Sequence, residues 1–337
     1  MNYSGLGCSC CTGRRGFLRA ALAACVTTGL ARWATPARAS ETVRIGMPTS
    51  DHYSPAFVAK ANGFFEKAGL QMEFKTFPTG GPVIEGLTSR SLDIGLLGTP
   101  GIISVARNFA MTSTMGIALE GSGLLVRDGG AKKIADLAGA RVGLPARGSI
   151  AHLLLLRALT RSNIDQSSVK IVEIRDVQAM SIGLQRGEID AVAIWEPWVY
   201  QLEQVKGIRK LALSHDIWPN HQCDFMWVGT AFLKERPDVV KRVMDGLLEG
   251  MRSLGRDLPA SVNTVSAALH VPANVESHAM RRQQFTHVLQ RENIQDQYRL
   301  LANLNIVKDK EIPSWDRLVD PAMYEYANKR WAMLEKS

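Results

Sequence analysis

Five short clusters in this 337-residue chain hold side chains that can do chemistry on a small molecule. Asp51-His52-Tyr53-Ser54 stands immediately before Pro55 and brings a carboxylate, an imidazole and a phenol into one loop. Asp51 and His52 together could recognise an amine or a hydroxyl; alternatively, an Asp-paired imidazolium could hold an acidic group. Thr79-Gly80-Gly81 precedes Pro82, and Gly148-Ser149 opens a run containing His152. Both read as helix starts, where exposed amides and the positive dipole end suit an anion, although Ser149 would serve equally as a plain N-cap. Trp195-Glu196-Pro197 offers an indole for stacking and a carboxylate held extended by the proline. Asp224, Met226 and Trp227 form a second polar-aromatic group, with Cys223 beside them. Arg147, next to Gly148, could pair with an anionic solute or sit solvated in its loop.

Other chemistries fit less well. Cys223 with His215 or His221 as base would make a nucleophile, but no Gly-rich elbow surrounds it, and a small buried residue is the simpler reading. The seven histidines are dispersed, with no H-x-x-x-H or His-x-Glu pair at zinc spacing, so neither a transition-metal site nor a cofactor is expected.

The elements that must position these clusters alternate. Strands are expected at Thr42–Met47, Gln71–Phe77, Asp93–Leu97, Arg141–Leu144, Val169–Ile174, Asp190–Trp195 and Lys210–Leu213. Helices are expected between them at Ser54–Glu66, Pro82–Ser89, Ser149–Arg161 and Gln178–Arg186. This is the pattern of an α/β fold with mainly parallel sheets. After about residue 230 only helices are expected, led by Pro237–Leu254, whose Val239, Val240, Val243, Leu247, Met251 and Leu254 share one face.

Charge separates the first 39 residues from the rest. Lys plus Arg is 40 and Asp plus Glu 32, but residues 1–39 carry five Arg and no acid, leaving 35 − 32 = +3 for the remainder. That weak balance argues against a nucleic-acid partner. The paired Arg14 and Arg15, Phe17-Leu18, the apolar run Ala20–Leu30 and Ala37-Arg38-Ala39 read as an export leader cut after Ala39. The twin arginines resemble the Tat signal, and the lipobox-like Leu22-Ala23-Ala24-Cys25 is the competing, lipid-anchored reading. Four of the five cysteines, Cys8, Cys10, Cys11 and Cys25, fall in this leader, so only Cys223 would remain after cleavage.

An internal near-repeat supplies the organisation. Leu92-Asp93-Ile94 leads into a strand ending at Gly98-Thr99-Pro100, and Ile189-Asp190-Ala191 into one ending at Trp195-Glu196-Pro197; Asp93 and Asp190 are 97 residues apart. In open α/β sheets the C-terminal strand ends are where ligands bind. Two such loops suggest a cleft lined from both sides.

Gly63-Phe64-Phe65-Glu66-Lys67-Ala68-Gly69-Leu70, Leu92-Asp93-Ile94-Gly95 with Gly98, Ile134-Ala135-Asp136-Leu137-Ala138-Gly139-Ala140-Arg141-Val142-Gly143, and Gly187-Glu188-Ile189-Asp190-Ala191 with Trp195-Glu196-Pro197 stand in order. Together they resemble the periplasmic solute-binding proteins of the nitrate/sulfonate/taurine type, a group that includes the thiamine-precursor binders. The resemblance implies a type II, Venus-flytrap fold of two doubly wound lobes joined by a two-strand hinge. Lobe I would be residues 40–120 and 216–337, lobe II residues 121–215, with Gly121 and Gly123 at the hinge. It implies ligand contacts by position at Asp51, His52, Tyr53, Gly81, Thr99, Ser149, His152, Trp195 and Glu196. Asp224 and Trp227 on the return segment join this set, and Glu196 would otherwise be a hinge partner or permease contact. The implied function is non-enzymatic: a monomer that captures a sulfonate-like, nitrate-like or heteroaromatic solute and delivers it to an ABC permease and its ATPase. Two alternatives accompany it, a pyrimidine-forming enzyme on the same fold and a module that presents its ligand to a membrane kinase.

Overall fold

Strand and helix alternate to build two separate sheets in the computed structural model, which describes residues 40–336. Arg14, Arg15, Cys25 and Ala39 lie outside the described residues. The strands are β1 (Glu41–Pro48), β2 (Leu70–Phe77), β3 (Ile94–Leu97), β4 (Met111–Glu120), β5 (Ser122–Arg127), β6 (Arg141–Leu144), β7 (Lys170–Glu173), β8 (Ala191–Trp195), β9 (Ile208–Leu213), β10 (Gln222–Gly229) and β11 (Gln283–Phe285). The first sheet has the order β11-β4-β10-β3-β1-β2 and the second β7-β6-β8-β5-β9. In each, three strands run parallel, β2-β1-β3 and β7-β6-β8, and an antiparallel strand, β10 or β5, lies beside the third. The fold is bilobal α/β.

The near-repeat is physical. Arg44 on β1 holds Asp93 through its backbone N–H, Nε and Nη2, and Nη2 also donates to the Arg90 carbonyl. Arg141 on β6 holds Asp190 through the same three groups, and its Nη2 donates to the Gly187 carbonyl. Ile45 pairs with Ile94 in one sheet and Val142 with Ala191 in the other, so the 97-residue offset relates register as well as sequence. A bidentate guanidinium–carboxylate clamp fixes direction and separation together. It therefore sets where the loops following β3 and β8 emerge.

Helices cover both sheets for the usual apolar reasons. Pro237–Arg256 buries Val239, Val240, Val243, Leu247, Met251 and Leu254, the stripe its spacing foretold. The helix expected over Ser54–Glu66 is two, Ser54–Ala61 and Phe64–Lys67, because Gly63 between them takes φ 68°, a left-handed conformation that ends an α-helix. The C-terminal half is not helical throughout, since β11 pairs with β4 there.

The chain passes from the first sheet to the second between β4 and β5, at Gly121, where φ is 76° and the preceding Glu120 is also left-handed at 64°. It returns through residues 214–221. The two passages are tied together: Glu120 Oε1 accepts the Asn220 N–H at 2.6 Å, and the Ser122 N–H donates to Ser214 Oγ at 3.3 Å. Gly123 sits inside β5 between Ile194 and Leu213, and a Cβ there would approach Val199 at 3.0 Å. Close packing, rather than an unusual torsion, explains that glycine.

Candidate functional site

A cleft of about 500 Å³ opens at the C-terminal ends of β1, β3, β6 and β8, lined from both sheets' sides. The first side contributes Ser50, His52 and Tyr53, the start of the helix Gly81–Thr88, the start of the helix Thr99–Ala106, and Asp224. The second contributes Arg147, Ser149, Arg175 and Trp195. Neither helix on the first side has a side-chain cap, because Gly80 and Gly98 stand at the N-cap positions. Their first amides therefore depend on solvent or a ligand for acceptors. Thr99 Oγ1 is buried with no hydrogen-bond partner among the described residues. Ser149 caps the helix Ile150–Arg161, accepting from the His152 N–H at 3.4 Å, and donates to the Ala146 carbonyl at 2.7 Å. Capping and cleft lining are thus both true of it.

Beneath the first side lies a fully buried polar network. His52 Nε2 is 3.1 Å from the Gly121 carbonyl and Nδ1 is 2.9 Å from Asp224 Oδ2. Both acceptors are oxygens, so the ring donates from both nitrogens and is an imidazolium. Burial alone would lower the His52 pKa, but the Asp224 hydrogen bond and charge outweigh it and the value is raised. Burial would conversely raise Asp224, and the hydrogen bond and charge of His52, with the Tyr53 hydroxyl, bring it down. Tyr53 donates to Asp224 Oδ1 at 2.6 Å, and Cys223 Sγ lies 3.4 Å from His52 Nδ1. Burial, then the Asp224 charge, pushes the Cys223 thiol well up, so it is held neutral and is a poor nucleophile.

Of the residues singled out from sequence, His52, Tyr53, Gly81, Thr99, Ser149, Trp195 and Asp224 line this cleft, and Asp51, His152, Glu196 and Trp227 do not. Trp227 is fully buried, donating from Nε1 to the Leu97 carbonyl at 2.8 Å, with its indole against Gly101. His152 points back into its own loop, its Nδ1 accepting the Gly148 N–H; burial, then the Arg147 charge, lowers its pKa to about 4, so it is neutral. Asp51 faces the other way from His52, toward Glu276, Glu196 and Gln283, and burial, then the Glu276 charge, raises its pKa well above the ordinary carboxylate value. Glu196 belongs to the same acidic group. Burial raises it to about 7 even though Arg282 lies 3.1 Å away and the Tyr200 N–H donates to it. Arg282 also pairs with Glu203 at 2.9 Å and lies over the Tyr200 ring, so one guanidinium from the β11 side clasps the β8 side behind the cleft.

Arg175 and Arg107 were not singled out from sequence, yet both line the cleft. No hydrogen bond or ion pair among the described residues engages Arg175. It stands immediately before Asp176, which caps the helix Val177–Gln185. The Asp176 cap is the signal that could have exposed it, since a cationic residue before an N-cap sits at the same strand end as Arg147. Arg107 follows the helix Thr99–Ala106, donates to the Ile306 carbonyl, and gave no such signal.

Comparison with known families follows the same outline. A model of the NMT1-like family matches residues 37–267, which is most of the chain. The chain belongs to the NMT1-like family. Among curated relatives, the taurine-binding periplasmic protein of Escherichia coli is 30% identical over 64% of this chain and 67% of its own. A putative binding protein of Brucella abortus is 26% identical over 72% and 77%. The periplasmic nitrate-binding protein NrtA of Synechocystis superposes with a TM-score of 0.76 at 13% identity, over 86% of this chain and 88% of that one, which is a likeness of fold. The similarity to nitrate/sulfonate/taurine-type binding proteins is therefore borne out. Within this NMT1-like chain, no helix among the described residues is long and apolar enough to cross a membrane.

Proposed function

We propose that this NMT1-like chain is the solute-binding component of an ABC importer, and that its solute is an organic anion with an apolar body. The observation that carries the reading is the cleft's composition: two uncapped helix starts, the unpartnered Thr99 hydroxyl and the unpaired Arg175 face a wall of Pro48, Ile84, Leu97, Ile103 and Trp195. Amides, a hydroxyl and a guanidinium take an anionic head, and Trp195 and the aliphatic wall take a flat or branched body. Arg107, Arg147 and Arg175 outnumber Glu85, and the buried His52–Asp224 pair is neutral overall, which favours an anion over a cation. A space near 500 Å³ suits a molecule well above the size of nitrate. Relatives named for taurine and for aliphatic sulfonates support the sulfonate class.

In this reading residues 40–120 and 216–337 form lobe I and 121–215 lobe II, which agrees with the strand content of the two sheets. The protein works as a monomer in the periplasm, exported through the Tat leader. Solute contacts from both lobes favour the closed form that the permease and its ATPase receive. Native mass spectrometry of the purified protein against alkane- and arylsulfonates, aromatic carboxylates, nitrate and amine controls tests the reading. One intact organic anion per chain is expected; at ~100 times its Kd it should add about 2.7 kcal/mol of stability, seen as a melting shift. Tight binding of an amine, or conversion of a bound molecule to a new mass, would overturn the proposal, the latter in favour of an enzyme.

A further inference from the structure

The buried cluster under the cleft has the composition and geometry of a divalent-metal site. We propose that His52 Nδ1, Cys223 Sγ and a carboxylate oxygen of Asp224 bind one borderline-soft divalent cation, of the Zn²⁺ class, with a fourth position open to the cleft. Three observations support this assignment. The three ligand atoms lie within 4.8 Å of one another, and all three residues are buried. The separations, 3.4 Å for Sγ to Nδ1 and 2.9 Å for Nδ1 to Oδ2, are a few tenths of an ångström short of the about 3.6 and 3.3 Å that tetrahedral zinc distances require. Small side-chain shifts would therefore admit the ion.

The surrounding hydrogen bonds are already those of a ligand set. A metal-bound imidazole ordinarily donates its other N–H to a carbonyl or carboxylate, and here His52 Nε2 faces the Gly121 carbonyl at 3.1 Å. Asp224 Oδ1 is held by the Tyr53 hydroxyl at 2.6 Å, and Oδ2, which faces His52 Nδ1 at 2.9 Å, is released to coordinate once that nitrogen gives up its proton to the incoming ion. A Cβ at position 121 would come within 2.3 Å of His52 Nε2, so Gly121 allows the carbonyl and the ring to approach.

Charge also balances. Without metal the cluster holds an imidazolium, a carboxylate and a thiol, and is neutral. With a divalent ion it holds neutral imidazole, carboxylate and thiolate, and is neutral again; two protons leave to solvent, one from His52 and one from Cys223. Exchanging two protons for one ion therefore adds no net charge to a buried site. Oxygen, nitrogen and thiolate together favour Zn²⁺ over Mg²⁺ or Ca²⁺. His52 and Asp224 line the cleft, so the open position admits water or a donor atom of a bound solute. The ligands are invisible as a motif because 171 residues separate His52 from Cys223.

The test uses the full chain carrying Cys8→Ser, Cys10→Ser, Cys11→Ser and Cys25→Ser, so that Cys223 is its only thiol, stripped of metal and with no solute added. Titration with Co²⁺ should give one near-ultraviolet thiolate-to-cobalt band saturating at one ion per chain, displaced by Zn²⁺, with two protons released per ion. Cys223→Ser should abolish the band, and Tyr53→Phe should keep the band while weakening affinity about 10- to 100-fold. Because the band is read on the chain with its cluster intact, a variant that misfolds does not decide the matter. Absence of a saturable band, a band that survives Cys223→Ser, or Zn²⁺ binding of unchanged strength in both Cys223→Ser and His52→Gln would overturn the site. None of these readouts involves the solute, so failure of the importer reading leaves them unaffected.

Discussion

Replacing Arg282 with Met should destabilise the protein more than any other single loss of a surface-reaching cation. The guanidinium makes three hydrogen bonds, one to Glu196 and two to Glu203. Glu196 is 1% exposed, and the other hydrogen bond to its carboxylate comes from the Tyr200 N–H. Removing one partner of such a buried pair typically costs about 3–5 kcal/mol, because the other charge is stranded. Met fills much of the Arg stem's volume, so the loss reports on charge rather than on a cavity. At roughly 2 °C per kcal/mol for a chain of this size, the melting temperature should fall by about 6–10 °C at pH 9, where Glu196 is ionised in the wild type, and by less at pH 7, where its raised pKa of about 7 lets it take up a proton instead.

The pH dependence sharpens the test. Glu196 has its folded pKa raised from 4.5 to about 7, so the folded state keeps a proton that the unfolded state releases. Stability attributable to this group therefore falls as pH rises from ~4.5 to ~7. Without Arg282 the folded pKa rises further, and the decline should continue above pH 7. Adding Glu196→Gln should remove that decline and restore at least half of the lost stability. Urea melts of wild type, both single variants and the double variant, at pH 5, 7 and 9, provide the cycle. A drop below about 2 °C at pH 9 for Arg282→Met, or no recovery in the double variant at that pH, would refute the clasp as described.

Three further outcomes are expected. Glu276→Gln should stabilise the protein at pH 9 by at least about 1 kcal/mol and flatten its stability between pH 5 and 8, because burial, then the Glu196 charge, raises the Glu276 pKa from 4.5 to about 8 and its stability contribution falls as pH rises through that window; urea melts check it. Gly101→Ala should cost about 1–3 kcal/mol by overpacking and alter tryptophan fluorescence, since a Cβ there would lie 2.2 Å from the Trp227 indole. Arg175→Gln should weaken binding of an organic anion by roughly threefold to tenfold and reduce its salt dependence, as expected for an exposed, unpaired cation, measured by calorimetry at two salt concentrations.

Local pattern sufficed wherever one element's burial is written along its own length. The helix Pro237–Arg256 and the strands β1, β3, β6 and β8 bury what their spacing implies. Strands β4 and β10 escaped because both faces are covered: Thr112, Ser113 and Thr114 are buried as thoroughly as Met115 and Ile117. With no solvent face, nothing alternates. The Asp93 and Asp190 repeat was legible, whereas its partners Arg44 and Arg141, each 49 residues earlier, were not.

The same division governs the site. Strand ends and helix starts are properties of adjacent residues, so sequence alone located the loops at His52, Gly81, Thr99, Ser149 and Trp195 that meet in the cleft. Which way a side chain turns from such a loop depends on what the rest of the chain places on either side of it. Asp51 and His52 are neighbours, yet one faces Glu276 from the C-terminal half and the other faces Asp224 on β10. Sequence determined that polar residues gather at these strand ends. Only the tertiary structure decided which of them face the cleft, which clasp the two sides together, and which sit around a buried imidazole and thiol, because those choices rest on partners brought in from 79 or more residues away.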